Sequence, residues 1–278
     1  MVTTEIRPPV VAGMFYDKES LKLKKHLESL FNEAHPENIR GEILGLISPH
    51  AGYFYSGKTA AFGYKLLKDK SFETVVIISP SHYEYFRAVS IYNGLAYQTP
   101  LGIVYVDVDL REQLKEYSSI IEITKRGHGR EHALEVQLPF LQMVLADFKI
   151  LPIVMGDQSR DLTFALAETL SEILKNKNIL LVASSDLSHY FTHEIANSLD
   201  SRVELLVNNF DYDKLMQELE EESVQACGGG PMVAVMYASK LLGANNSKVL
   251  YRNDSSEASG NKHQVVGYLS AAFYKKEI

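Results

Sequence analysis

The chain has 278 residues, a net charge of −7 at pH 7 and ordinary globular composition, 46% hydrophobic and 23% charged. No basic stripe offsets the acidic balance, which argues against nucleic acid as a partner, because that binding rests on clustered Lys and Arg. No apolar stretch approaches the roughly 20 residues of a membrane helix, and the single cysteine, Cys227, excludes an internal disulfide and fits a reducing setting.

In chain order, the opening MVTTEIRPPVVAGMFY lacks a basic segment followed by a long apolar one, so no signal peptide and a cytoplasmic location are expected. ILGLIS at 43–48 and TVVIIS at 74–79 are apolar on both faces, as strands of a helix-covered parallel sheet are. Between them, 57–68 repeats apolar positions at helical spacing. A β excursion at 88–92 and 103–108 surrounds the NGLAYQTPLG loop, and a helix is expected over 132–145, kinked or divided at Pro139. Strands at 150–155 and 178–184 flank a helix at 160–175. A Gly-rich turn leads into a helix at 227–242, and strands near 248–252 and 264–274 follow. The acidic LEEES at 219–223 is read as a solvated helix end. No linker or repeat interrupts the pattern, so one α/β domain over 1–278 is expected: a single domain with a mostly parallel central sheet flanked by helices on both faces.

Functional residues of such sheets lie beyond the carboxyl ends of the strands. His50 follows the strand at 43–48, His82 the strand at 74–79, and Asp186 and His189 the strand at 178–184. Three strands thus deliver candidate ligands to one rim. Two imidazoles and an anion with open positions suit redox iron or catalytic zinc. The anion is Asp186 or Cys227, and Cys227 stands just before a helix start, where the macrodipole favours thiolate. His128, Glu131, His132 and Glu135 form a further cluster. His132 and Glu135 are spaced to share a helix face, and His132 is a site candidate. Glu131 reads better as helix-start electrostatics. Tyr53, Tyr55 and Tyr83 follow the two histidines as possible pocket walls.

AGMFY at 12–16, SPHAGYFYSG at 48–57, SPSHY at 79–83, the YQTPLG loop, EHALEVQLPFL at 131–141, SSDLSHY at 184–190, CGGGP at 227–231 and VVGY at 265–268 together resemble the Memo family, the B component of the AmmeMemoRadiSam set. The resemblance implies a fold like that of the class III extradiol ring-cleavage dioxygenases. It implies His50, His82 and Cys227 as metal ligands, with Asp186 and His189 lining the pocket and Phe15 where the family often carries Trp. It also implies iron or copper, redox chemistry and, from an animal member, binding of phosphotyrosine-containing receptor segments. A thiolate in place of the dioxygenase carboxylate is softer and favours copper(I) and zinc.

The expected function is therefore metal-dependent redox chemistry on a small substrate. Fe(II) is the first candidate, copper or zinc the others. His189, Asp186 and His132 are the catalytic candidates, and Phe15, Tyr53, Tyr55 and Tyr83 the substrate walls. The alternatives are a module binding a peptide, phosphopeptide or partner protein, with Arg87, Arg126 and Arg130 at hand for phosphate, and a zinc-dependent hydrolase with His189 as base. Neither nucleic acid nor membrane is an expected partner.

Overall fold

Apolar runs too hydrophobic for a solvated sheet form the centre of the molecule, which a computed structural model describes over residues 3–276. The strands are β1 (Ile6–Arg7), β2 (Gly41–Ser48), β3 (Thr74–Pro80), β4 (Val89–Tyr92), β5 (Ala96–Thr99) and β6 (Gly102–Tyr105). They continue with β7 (Ile121–Thr124), β8 (Lys149–Met155), β9 (Ile179–Ser184), β10 (His189–Phe191), β11 (Asn246–Asp254) and β12 (Val265–Lys276). The helices are α1 (Ser20–Glu33), α2 (Tyr53–Lys65), α3 (Val108–Tyr117), α4 (Leu138–Val144) and α5 (Arg160–Leu174). After them come α6 (His193–Asn208), α7 (Tyr212–Glu220), α8 (Gly229–Leu241) and the single turn α9 (Ser256–Ser259).

The main sheet runs β10-β12-β2-β9-β3-β8-β4-β7, with β11 also paired to β12, and β1, β5 and β6 form a small second sheet. Its centre, β2-β9-β3-β8, is parallel, with Ser48 level with Ser184 and Ile78 level with Ala183. That parallel centre is as expected, and both flanks turn antiparallel, at β12 against β2 and at β4 against β8, so the sheet as a whole is mixed. The hydrophobic pattern carries burial, not strand direction, which explains the difference.

Alternate residues of β3 feed two cores. Val75 and Ile77 pack with Leu23 and Leu27 of α1, Ala60 and Ala61 of α2 and Phe140 of α4. Val76 and Ile78 pack with Leu166 and Leu170 of α5, Val203 of α6 and Val233 of α8. Helices thus cover both faces, as expected.

Two helix boundaries depart from the sequence reading. α2 starts at Tyr53, four residues early, because Gly52 supplies the turn against the Phe15 backbone and the Tyr53 N–H donates to the Phe15 carbonyl. The expected helix over 132–145 becomes a 3₁₀ turn at Glu135–Gln137 followed by α4, with Pro139 in its first turn. That position suits proline, whose missing N–H has no intrahelical partner there anyway. Among the described residues no helix is long and apolar enough to cross a membrane.

Candidate metal centre

β2, β9 and β3 are neighbours and end on one rim, so the residues just past them converge. One ring nitrogen each of His50, His82 and His132 lies within 4.8 Å of the others. The His82 and His132 rings stack at 5.0 Å, and His50 stands edge-on to both at 5.1 and 5.5 Å. His132 comes from the loop before α4 rather than from a helix face.

Hydrogen bonding fixes which nitrogens face inward. The Ser184 hydroxyl donates to the Ala133 carbonyl at 2.6 Å and accepts from Gln137 Nε2 at 2.8 Å. Its proton is therefore committed, so His50 Nδ1, 2.9 Å away, must be the donor to Ser184. His50 Nε2 is left as the unprotonated, lone-pair nitrogen. Glu131 does the same for His82. Its carboxylate accepts from His82 Nδ1 at 2.9 Å and from the backbone N–H groups of His82, His132 and Ala133. His132 is held more loosely: its buried Nδ1 has no hydrogen-bond partner among the described residues, though it lies 3.5 Å from Glu131 Oε1, and Phe15 packs on its ring at 4.7 Å.

Burial, together with the charge His82 can carry, holds the pKa of His50 down at about 3. Burial and His50 lower His132 to about 4. Burial also acts to lower His82, but Glu131 overrides it and raises His82 above the usual imidazole value. Glu131, which burial would raise, is brought down to about 2 by the His82 and backbone donors. Two of the three imidazoles are therefore ready neutral ligands at neutral pH, and the third is held by an ionised carboxylate. Nitrogen donors with oriented outer partners are the set that iron, copper and zinc accept.

Cys227 adjoins this cluster. Its Sγ lies 3.1 Å from His50 Nε2 and accepts from the Asp186 N–H at 3.3 Å. Asp186 Oδ1 accepts from the His50 N–H at 2.7 Å, and its Oδ2 lies 4.0 Å from His50 Nε2. Burial raises Asp186, so its ionised form is disfavoured. The thiolate expected from the start of α8 is corrected here: burial and the Asp186 carboxylate push the Cys227 thiol up, and a bound ion rather than the helix would have to deprotonate it. Cys227 and His189 line one cleft of about 400 Å³, together with Leu219, Glu222 and Gln225.

Several expected roles change. Glu131 orients His82 and is not helix-start electrostatics, since α4 begins seven residues later. Glu135 faces away from His132, toward Arg7, Tyr16 and the backbone of Val10 and Val11. His128 is buried against Tyr97, its Nδ1 2.6 Å from the Tyr97 hydroxyl. Tyr53 is buried on Phe140 with its hydroxyl donating to the Val136 carbonyl, and it lines the same depression as Tyr55. Tyr55 is exposed on α2, in a depression with Lys58 and Glu257, and Tyr83 is exposed beneath the Arg130 guanidinium. Ser184 and Gln137 were missed as site residues. The Glu-His pair at 131–132 was the available signal for Glu131.

The model of the family described as Memo-like protein matches residues 7–272. A MEMO1 family protein of Nitrosopumilus maritimus is 38% identical over 96% of this chain and 99% of its own length. One from Methanosarcina mazei is 39% identical over 95% and 97%. In fold, the chain is similar to the crystal structure of an uncharacterized protein from Escherichia coli K12, with a TM-score of 0.57 and 14% identity over 83% of this chain and 99% of that one. The strand-end motifs, the whole-length family match and these relatives agree: the chain belongs to the family of Memo-like proteins.

Proposed function

We propose that this protein is a metal-dependent oxidoreductase with a dioxygenase-like pocket, its ion held by His50, His82 and a third ligand, His132 or Cys227. The supporting observation is that Nδ1 of His50 and of His82 is engaged by Ser184 and Glu131, while one ring nitrogen each of His50, His82 and His132 lies within 4.8 Å of the others and Cys227 Sγ lies 3.1 Å from His50 Nε2. Fe(II) is the first candidate, with copper or zinc favoured if the thiolate binds. A redox ion there would supply electron exchange with oxygen and a small substrate.

The chain's own residues frame that chemistry. His189, in the same cleft as Cys227, is placed to move a proton at the substrate. Asp186, 4.0 Å from His50 Nε2, is placed to accept a hydrogen bond from whatever occupies the centre. Phe15 packs on the His132 ring and narrows access to it from that side. Zinc-dependent hydrolysis would use the same donors with His189 as base, and the ion that restores turnover separates the two. A second reading, docking of a peptide or partner protein, is favoured by the exposed Phe54, Tyr83, Tyr85 and Tyr190, which follow His50, His82 and His189 within a few residues. Phosphopeptide titration heat lost in Arg130→Ala would support it.

Proton release on metal binding tests the third ligand. His50 and His132 are neutral at pH 7.5, so binding through the three imidazoles releases only what proton His82 still carries. Cys227 as ligand adds about one thiol proton. Titrating Zn(II) calorimetrically in buffers of different ionisation enthalpy is expected to show that extra proton in the wild type and its loss in Cys227→Ser. Identical release in both proteins would assign the third position to His132.

A further inference from the structure

Nothing in the sequence pattern joins Arg7 to the metal cluster, yet its buried guanidinium holds the loop that carries His132 and Glu131, the carboxylate that orients His82. Nε donates to the His128 carbonyl and Nη2 to the Glu131 carbonyl, both at 2.5 Å, and Nη2 also approaches the Gly129 carbonyl at 3.4 Å. Nη1 donates to Glu135 Oε2 at 2.7 Å, and the guanidinium plane lies over the Tyr97 ring. One side chain thus holds both ends of the segment 128–135. Within that segment stand Glu131, which sets His82, and His132 itself. The far side of Glu135 accepts from the N–H groups of Val10 and Val11 and from the Tyr16 hydroxyl. That ties down the segment after β1 that brings Phe15 onto His132.

We infer that Arg7 is a positioning residue of the metal centre: its fork, paired with Glu135, sets the 128–135 loop so that Glu131 and His132 take their places beside His50. The inference rests on the metal-centre reading above. Four acceptors around one side chain suit the fixed fork of a guanidinium. A lysine would keep the charge for Glu135 but, as a point donor on a different stem, would not span them.

Arg7→Lys is the test, with Arg111→Lys as its control. Arg111 is as deeply buried and also serves carbonyls, those of Tyr92 and Gly94, but it holds no loop of the metal cluster. Titration of the full-length proteins with Co(II) is expected to show Arg7→Lys weakened roughly 10–100-fold, the loss typical of an outer-sphere partner, with a changed Co(II) visible spectrum. Arg111→Lys is expected to keep the wild-type affinity and spectrum even at an equal loss in Tm. Wild-type affinity in Arg7→Lys, or an equal loss in Arg111→Lys, would overturn the inference. Should the wild type take up no Co(II), the metal reading fails by itself, and the His82 ring N–H signal in NMR then decides on Arg7. Slow exchange in the wild type and Arg111→Lys but not in Arg7→Lys supports the positioning role, and equal exchange in all three overturns it.

Discussion

Replacing Glu131 with glutamine is expected to cost about 3 kcal/mol of stability near pH 6 and to weaken metal binding roughly 10–100-fold. The carboxylate is almost wholly buried and accepts from three backbone N–H groups and His82 Nδ1. An amide keeps one acceptor oxygen and turns its own donors toward the others, leaving buried N–H groups unpaired. The pH dependence follows from the shifts. Glu131 is lowered from 4.5 to about 2, so its contribution is complete above 4.5 and is lost as pH falls through about 2. His82 is raised from 6.5, so its part is complete below 6.5 and fades as pH rises through the folded value. The stability gap between wild type and Glu131→Gln, measured by urea unfolding of the metal-free proteins, is expected to be widest between those two limits. A gap independent of pH would show that the charge of the carboxylate contributes nothing to the fold.

A second large effect is expected at Gly228, where a methyl group should distort the centre from the opposite side. A Cβ there would stand 2.3 Å from the Ser184 carbonyl oxygen and 2.8 Å from the Ser185 Cβ. The first of these belongs to the backbone at the end of β9, which cannot swing aside as a flexible side chain can. Ser184 orients His50, and Asp186 and Cys227 exchange backbone and thiol contacts next to it. Gly228→Ala is expected to cost about 3 kcal/mol, the upper range for overpacking, and to lose metal with it. Gly129→Ala is the control, because a Cβ at Gly129 meets nothing within 4 Å. It is expected to stay within about 0.5 kcal/mol of wild type, as open positions do. Equal stability of the two variants in thermal unfolding would contradict the close approach.

The strands that carry the centre were legible because burial on both faces leaves a continuous apolar run. The rim followed, since a parallel sheet sends its strand ends one way, and His50, His82, Asp186 and His189 were placed from that rule alone. What depended on partners distant in sequence was not legible. Arg7 and Glu135 are 128 residues apart and neither sits in a recognisable motif. Glu131 and Glu135 look equivalent in EHALE, but one faces His82 and the other the N-terminal strand, because no regular helix runs between them. Cys227 was placed correctly before α8 yet misjudged in charge, because the dipole argument ignores burial, and burial dominates here. Tyr53 looked like a loop residue because the start of α2 lacks a side-chain cap that would have marked it.

The central claim is that His50 anchors a metal ion. Protein purified and handled without oxygen, analysed for iron, copper and zinc beside His50→Ala, tests it directly. About one ion per chain in the wild type, lost in His50→Ala and not restored by reloading, is the expected result. Stoichiometric metal retained in His50→Ala, or a wild type that takes up none of the three on reloading, would contradict it.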